Sequence, residues 1–210
     1  LAPYEIASRL VSNGEYEAFI EDGGYRRPEL WLSEGWSLAQ QEGWEAPLYW
    51  NRRDGDWSAF GLQGTAAIRR SEPVAHVSYF EADAYARWAE ARLAREEEWE
   101  LIAKEPSAED NLLESGTLRP LAPRADREGE VAQLFGDVWE WTQSAYEAYP
   151  GYRADGGALG EYNGKFMVNQ YVLRGGSCVT SAAHIRASYR NFFPAHARWQ
   201  WSGIRLARDA

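Results

Sequence analysis

The side chains that most often hold metals or attack substrates are few and scattered in this sequence. The three histidines, His76, His184 and His196, are far apart and lack the short spacing of a metal-binding motif. The single cysteine, Cys178, cannot form an internal disulfide, and a small apolar side chain of this kind fits a buried position. Arg174 begins an RGGS turn, but no helix start with further glycines follows it, which argues against a phosphate-binding loop. These residues predict no self-contained catalytic centre.

Composition limits the class of protein. The 210 residues are enough for one substantial domain, and 11 Trp, 12 Tyr and 19 Gly favour a compact fold with much irregular backbone. The net charge of -10 argues against nucleic acid as a partner. No apolar run approaches the ~20 residues of a membrane helix. We therefore expect a single cytoplasmic domain over residues 1–210 without a membrane or nucleic-acid partner, and a start at Leu1 instead of Met suggests a fragment.

Two capping boxes predict where helices begin. Ser12 is followed three residues later by Glu15, and Ser78 by Glu81, so each pair can satisfy two backbone N–H groups at a helix start. An acidic run marks a third helix start. Together these signals predict three helices, over residues 12–20, 78–93 and 96–104.

The rest of the chain shows weaker patterns. Residues 25–73 are rich in Trp and Gly and have no sustained period, so we expect irregular structure packed by aromatic rings. Residues 105–130 contain three prolines and many charges, which favours a surface loop. Alternation of aromatic or branched residues with polar ones predicts short strands over residues 134–142, 171–175, 184–189 and 202–207.

Four collinear blocks resemble the formylglycine-generating-enzyme family. They are SNGEYEAFIEDGGY (12–25), PVAHVSYFEADAYARWAEARLAREEEWE (73–100), GDVWEWT (136–142), and VLRGGSC (172–178) followed by SGIRLARD (202–209). The resemblance implies an α+β, C-type-lectin-like fold with little regular secondary structure, short mixed or antiparallel strands and a few helices. The two cysteines that would make formylglycine are missing, because their expected positions fall near Thr180 and Ile185.

Three further segments resemble the ergothioneine-synthase branch of that family and its selenium-handling relatives. They are RNFFPAHARWQ (190–200), YRRPELWLSEGW (25–36) and GWEAPLYW (43–50). In that branch a DinB-like N-terminal module holds a non-haem iron(II) through three histidines, and the present domain closes the pocket over it. The resemblance implies an O2-dependent sulfoxide synthase that joins a thiol sulfur, or selenium, to C2 of trimethylhistidine. The iron module is absent from this chain, which we expect to be inactive alone.

The resemblance also implies where substrates bind. A quaternary ammonium and a carboxylate call for aromatic faces and donor groups. The residues expected to bind substrate are Arg190, Asn191, Phe192, Phe193, His196 and Arg198. Exposure on a loop is an equal alternative for His196. A tyrosine that delivers a proton is expected in the stretch 149–162, where Tyr152 and Tyr162 both remain candidates.

The pair Phe192 and Phe193 bears on the sulfur donor. Family members that use gamma-glutamylcysteine carry Trp-Asp here, and the Asp can pair with the donor's ammonium group. Phe193 cannot accept that hydrogen bond, and leaving the amine unpaired in a dry site costs about 1–3 kcal/mol. The resemblance therefore implies a smaller donor such as free cysteine, or a selenium donor.

Two alternatives remain open from the sequence. Formylglycine-type domains can bind calcium beside the GDVWEWT block, which makes Asp137 and Glu140 candidate ligands, although a structural role explains both equally well. The rival function is a non-catalytic ligand-binding module on the same fold, as in variable proteins diversified by retroelements. Those proteins vary in the same C-terminal region.

Overall fold

The structure, a computed structural model, describes residues 1–104, 106–107, 110–124 and 130–210, without the side chains of residues 159 and 162. The loop expected over residues 105–130 therefore lies partly outside the described residues. The helices are α1 (Asn13–Glu21), α2 (Ser33–Glu42), α3 (Tyr79–Trp88), α4 (Glu96–Ile102) and α5 (Ala158–Gly164). The strands are β1 (Tyr4–Ile6), β2 (Trp50–Arg53), β3 (Asp56–Gly61), β4 (Gly64–Ala67), β5 (Arg92–Leu93), β6 (Trp139–Ala145), β7 (Gln170–Arg174), β8 (Asn191–Pro194), β9 (Ser202–Gly203) and β10 (Leu206–Asp209).

These strands form small, mostly antiparallel sheets in the described part of the chain. Their orders are β1-β10-β5, β2-β3-β4 and β8-β7-β6-β9, and the β6–β9 pair is parallel. The first and last strands are neighbours, with Tyr4 opposite Asp209. Short strands, five α-helices within the described ranges and long connections confirm the expected α+β architecture. None of the described helices is long and apolar enough to cross a membrane.

Both predicted capping boxes form. The Ser12 hydroxyl accepts from the Glu15 N–H while the Glu15 carboxylate accepts from the Ser12 N–H, at 3.3 and 2.8 Å. Ser78 and Glu81 repeat the arrangement at 3.1 and 2.8 Å. Helix α3 ends at Trp88, five residues before the predicted end. The reason lies in the next residues: Glu90 has a positive φ of 53°, and β5 then pairs with β10.

The prediction of irregular structure for residues 25–73 was wrong. Helix α2 lies there, and its N-cap residue, Leu32, offers no side-chain cap that the sequence could reveal. The β2-β3-β4 sheet lies there too, with mostly exposed residues and so no clear alternation of polar and apolar positions. Asp54 and Gly55 connect β2 to β3 with φ values of 55° and 96°, as a two-residue hairpin turn requires.

The strand predicted over residues 184–189 was also wrong. That segment forms turns, and the strand begins at Asn191, where β8 pairs with β7. Two other predicted strands differ from the structure in their bounds. The strand expected over residues 134–142 starts only at Trp139, after the positive-φ residues Gly136 and Asp137. The one expected over 202–207 is divided into β9 and β10. The third predicted helix ends at Ile102.

Aromatic side chains fill the core between α1, α3 and the four-stranded sheet. Tyr16 stacks on Tyr85 with ring centroids 5.4 Å apart. The largest buried indoles find hydrogen-bond acceptors, since Trp141 donates to the Val77 carbonyl at 2.9 Å and Trp99 donates to a Glu140 carboxylate oxygen at 3.0 Å. Packed rings with satisfied N–H groups hold the four-stranded sheet in place against α3 and α4.

Candidate functional site

Strand β8 carries the centre of the candidate site. It is the edge strand of the four-stranded sheet, and it places Phe192 opposite Val172 and Phe193 opposite Tyr171. Because side chains alternate along a strand, the two phenylalanines point to opposite faces of the sheet. Both are half-buried. The strand therefore presents aromatic rings on both faces of the sheet at its edge.

The Phe192 side of the strand is a stack of rings. Phe192 lies parallel to Tyr146, with ring centroids 4.0 Å apart, and Phe166 lies 5.9 Å away. The Tyr146 hydroxyl donates to the Asn163 side chain at 3.3 Å, which connects the end of β6 to helix α5. Phe166 remains 40% exposed. This side combines a fixed ring with a ring open to solvent.

The Phe193 side of the strand also combines a partly buried ring with an exposed one. Phe193 meets Trp199 edge to face at 5.4 Å, and Trp199 is 54% exposed. Beneath them, Tyr171 stacks on Tyr79 at 3.7 Å, and the Tyr79 N–H donates to the Ala195 carbonyl at 3.0 Å. The turn after β8 is thus anchored to the start of α3. His196 lies in that turn and is exposed.

Exposed rings concentrate around this strand. We call the group the β8 aromatic surface and define it by Phe192, Phe193, Tyr149, Phe166 and Trp199. A soluble domain rarely leaves large apolar side chains clustered in solvent unless a ligand or partner covers them. The surface is therefore the strongest candidate for a functional site on the C-terminal half of the chain.

Arg190, at the start of the predicted segment, is already ion-paired. Its guanidinium binds both carboxylate oxygens of Glu96 at 2.8 Å and donates to the Glu147 carbonyl at 3.0 Å. The same group lies over the rings of Tyr146 and Tyr149, 4.7 and 4.3 Å from their centroids. Arg190 thus holds the stack behind Phe192 in place, and its contacts favour a positioning role over direct binding of a substrate carboxylate.

Arg198 belongs to a different buried network. It pairs with Glu81 at 2.8 Å, donates to the Ala46 carbonyl, and lies 4.2 Å from the centroid of Trp44. Glu81 also accepts from Tyr25 while it caps α3. The structure therefore brings Asn191, Phe192 and Phe193 together on one strand, places the exposed His196 in the next turn, and keeps both arginines in separate ion pairs.

The other polar candidates have simpler positions. The Asn191 side-chain oxygen accepts from the Phe192 N–H at 2.9 Å, so it shapes the strand start. Tyr152 is exposed in a turn, where its N–H donates to the Tyr149 carbonyl at 3.0 Å. Tyr162 belongs to α5, and its side chain lies outside the described residues. Tyr152 thus borders the β8 aromatic surface, and the assignment of a proton donor stays a prediction.

Hydrogen-bond donors already bind both candidate calcium ligands. Glu140 is buried and bound by the Arg205 guanidinium at 2.8 and 2.9 Å, and Trp99 donates to it as well. Asp137 accepts from the Asn111 side chain and the Leu121 N–H, both at 2.7 Å. Desolvation raises the pKa of both carboxyl groups. Gln133 donates to the other Asp137 oxygen at 3.3 Å, so every carboxylate oxygen of the two residues already accepts a hydrogen bond, and the residues do not fit calcium.

No group of three or more His, Cys, Asp or Glu side chains in the described residues could hold a metal ion. Cys178 is buried, and desolvation raises its pKa to about 12, so its thiol stays protonated at neutral pH.

Sequence reasoning missed several residues that build this surface. Tyr146 and Trp199 provide the rings next to Phe192 and Phe193, and Glu96 holds Arg190. Trp199 lies within the segment already singled out and could have been found there. Glu96 is 94 residues from Arg190 in the chain, and no local pattern connects the two.

Comparison with known proteins identifies the family. A family model described as the sulfatase-modifying factor enzyme 1-like domain matches residues 1–116 and 114–210. The chain belongs to this family. The hercynine oxygenase of Mycobacterium tuberculosis is 38% identical over 98% of this chain, and that of Mycolicibacterium thermoresistibile is 37% identical over the same share. This sulfatase-modifying-factor domain spans about half of each relative's length, 52% and 51%.

A solved structure confirms the fold assignment. The variable protein 1 of Treponema denticola superimposes with a TM-score of 0.58 over 99% of this chain and 84% of its own, at 14% sequence identity. At that identity the likeness concerns the fold alone, which agrees with the expected C-type-lectin-like architecture of this sulfatase-modifying-factor domain.

Proposed function

We propose that the β8 aromatic surface, whose rings lie on both faces of the sheet edge, lines part of the substrate pocket of an iron(II)- and O2-dependent sulfoxide synthase. In this proposal the enzyme joins a small thiol such as cysteine, or a selenium donor, to C2 of trimethylhistidine in ergothioneine- or selenoneine-type biosynthesis. The support is the 38% identity to a hercynine oxygenase across nearly the whole chain, together with the half-exposed rings along β8. The single observation that carries it is this ring cluster on the segment that resembles ergothioneine synthases.

The chemistry of the ring cluster suits such a substrate. A quaternary ammonium is attracted to the faces of Trp and Tyr, and the attraction grows when water is excluded. Trp199 and Tyr149 offer exposed rings of these types, and Phe192 and Phe193 supply apolar floor beside them. The role of this domain is to bind and orient the substrate and to exclude water.

The rest of the proposed enzyme lies outside these residues. The chain spans about half the length of its curated relatives, and the proposal assigns the remainder to a DinB-like module whose histidines hold the iron. The iron would activate oxygen when bound. Docking of that module would cover the exposed rings, and Tyr152 and Tyr162 stay the candidates for proton delivery in the closed pocket.

The rival role, a non-catalytic binding module, has support only at the level of fold. The likeness to the Treponema variable protein is at 14% identity, whereas the hercynine oxygenases are 37–38% identical. Sequence identity as well as fold therefore supports the oxygenase proposal, whereas fold alone supports the rival role.

Phe193 gives the sharpest test of the donor. In the full-length protein, Phe193→Asp supplies an acceptor for the ammonium of gamma-glutamylcysteine, so we expect the ratio of kcat/KM for gamma-glutamylcysteine over cysteine to rise about tenfold, the value of one charge-assisted hydrogen bond. Steady-state assays with trimethylhistidine and each thiol measure the ratio.

The matched control is Phe60→Asp, which makes the same change at an exposed position on β3. It should leave the ratio unchanged. An equal loss of activity with both thiols in Phe193→Asp, or an equal rise in the control, would contradict the proposed donor site. Failure of the full-length protein to make any sulfoxide would contradict the proposed function itself.

A further inference from the structure

A cavity lies between the β2-β3-β4 sheet and the segment just before β9. We call it the hairpin cavity, and it holds about 120 Å³. Apolar and aromatic residues make up most of its described lining, and no residue of the β8 aromatic surface is among them. Because an apolar cavity of about 150 Å³ accepts benzene, this volume admits one ring or one branched aliphatic group. The lining residues that carry the argument are Tyr49, Arg69, Glu72, His76, Arg119 and Trp201.

Aromatic rings in contact with one another line one part of the hairpin cavity. The His76 ring lies 4.4 Å from that of Trp201 and 4.9 Å, nearly perpendicular, from that of Tyr49. Burial lowers the pKa of His76 to about 4, so the imidazole is neutral at pH 7 and adds no charge to the lining. An apolar group of a ligand therefore meets uncharged rings here.

The charged residues of the lining do not neutralise one another. In the described part of the chain these residues are Arg69, Arg119 and Glu72. Both guanidinium groups pair with the same carboxylate oxygen, Oε1 of Glu72, and the Arg69 contact measures 3.5 Å. The lining therefore carries one positive charge in excess.

This excess is the reverse of the charge balance of the chain as a whole. The sequence has 32 acidic and 22 basic residues and a net charge of -10. Elsewhere an arginine can have two acidic partners, as Arg92 does with Glu98 and Asp209. At the hairpin cavity two arginines share one carboxylate, and burial and the nearby charge of Arg69 lower the pKa of Arg119. An added anion would relieve this repulsion.

Both guanidinium groups retain N–H groups for a further partner. Arg69 donates to Glu72 through Nη1, and Arg119 donates through Nη1 to Glu72 and to the Pro120 carbonyl. Among the described residues, no acceptor bonds to Nε or Nη2 of either arginine. A guanidinium has five N–H donors and binds a carboxylate through two of them at once. The side chains are 52% and 29% exposed, so a ligand carboxylate can reach them and keep part of its hydration.

We propose that the hairpin cavity binds a small monocarboxylate with one aromatic or branched apolar group. The apolar group lies among the rings of Tyr49, His76 and Trp201, and the carboxylate pairs with Arg69 and Arg119. Trimethylhistidine fits poorly, because its quaternary ammonium would meet the excess positive charge. The hairpin cavity is therefore a site separate from the proposed substrate pocket, and the inference does not rest on the proposed oxygenase function.

Benzoate and benzamide test the charge requirement as probes of nearly equal shape. At low salt we expect benzoate to bind the 210-residue chain about threefold to fivefold more tightly, the value of a partly exposed ion pair. The preference should shrink in about 0.5 M NaCl, where exposed charges are screened. Chemical-shift titrations of the 15N-labelled chain measure both affinities. NOEs from the ring protons of benzoate to the methyl groups of Leu48 and Leu118, which line the cavity, locate the ring.

Substitutions of the charged residues should move benzoate binding in opposite directions. Arg69→Gln makes the lining neutral and should abolish the preference for benzoate over benzamide. Glu72→Gln removes the competing carboxylate, and it should raise the affinity for benzoate about threefold and leave that for benzamide unchanged. The matched control is Arg70→Gln, since Arg70 adjoins Arg69 in the chain but pairs with Glu17 and does not line the cavity. It should keep the preference of the unaltered chain.

Equal affinity for the two probes at low salt would overturn the proposal, as would an equal loss of the benzoate preference in Arg69→Gln and Arg70→Gln. A folded Glu72→Gln variant that binds benzoate no more tightly than the unaltered chain would overturn it as well. So would the absence of saturable shifts with benzoate, or NOEs to the rings of the β8 aromatic surface alone.

Discussion

Glu96 shows how one carboxylate positions a whole wall of the candidate site. It binds Arg190 through both oxygens and also lies 3.3 Å from Arg174, a fully buried guanidinium. Arg190 in turn lies against Tyr146 and Tyr149. The rings behind Phe192 therefore depend on an ion-pair network that no single segment of the sequence contains.

Removal of this charge should destabilise the fold. Glu96→Gln leaves the largely buried Arg190 without its counter-charge and Arg174 with Glu100 alone, and we expect the free energy of unfolding to fall by about 3 kcal/mol. Glu97→Gln, at an exposed position of the same helix, is the control and should change it by less than about 0.5 kcal/mol. Urea denaturation measures both, and equal losses would contradict the role given to Glu96.

His76 should make stability depend on pH. Its pKa of about 4 in the folded chain lies below the ordinary 6.5, so the unfolded chain takes up a proton first as the pH falls. The free energy of unfolding therefore has its full value above about pH 6.5. It falls progressively by about 3 kcal/mol as the pH is lowered to 4. Glu15, whose pKa Arg9 lowers from 4.5 to about 2, loses its contribution to stability only below about pH 4.5.

Two histidine variants test whether His76 causes this pH dependence of stability. His76→Gln should show a smaller loss of unfolding free energy between pH 6.5 and 4 than the unaltered chain, when both are followed by urea denaturation. His196→Gln, at an exposed position, should keep the full slope. An unchanged slope in His76→Gln would show that other groups cause the pH dependence.

At the scale of elements, local signals predicted the helices that begin with a capping box. Ser12 and Ser78 each act through a partner three residues away, so the sequence alone contains the whole device. Helix α2 has no such cap, and the strands of the hairpin sheet are exposed, so neither showed a pattern. The Asp54-Gly55 turn was the one overlooked signal, since this dipeptide favours a two-residue hairpin.

The sequence likewise predicted only part of the candidate site. Phe192 and Phe193 could be singled out because the segment around them resembles a known branch, and the structure places both on one strand. The ion pairs of Arg190 and Arg198 bridge 94 and 117 residues, so only the folded chain reveals them. The strand placed at residues 184–189 was wrong for the same reason, because pairing with β7 decides where β8 begins.

The turn after β7 depends on a glycine that no other residue can replace. Gly175 has a φ of 92°, and a Cβ atom there would overlap the carbonyl oxygen of Leu134. We expect Gly175→Ala to reduce the unfolding free energy by at least about 3 kcal/mol, since overpacking adds to the backbone strain.

A second glycine separates these two causes. Gly43 has a φ of 65°, but nothing lies within 4 Å of its added Cβ, so Gly43→Ala should cost only about 1–2 kcal/mol. Thermal or urea unfolding of the two variants gives the comparison. Equal costs would mean that the close approach of Leu134 does not matter.

At the scale of the whole molecule, the proposal divides the enzyme into a substrate-binding domain and a separate iron-binding module. The chain alone should therefore be inactive. The 210-residue chain, incubated in air with iron(II), trimethylhistidine and cysteine, should give no sulfoxide, because the proposal assigns the iron ligands to a module outside these residues. Mass spectrometry of the product measures this. The full-length protein is the control and should turn over, and product from the short chain would contradict the division of labour proposed above.

The pairing of the first and last strands brings the two ends of the chain together. Tyr4 lies opposite Asp209, and the Ala210 N–H donates to the Pro3 carbonyl at 3.3 Å. A linker of a few glycines could therefore join the ends, and new termini could be opened at the exposed Asp54-Gly55 turn. Such a circular permutant would keep the rings beside β8 while offering a different attachment point for a tether or a reporter.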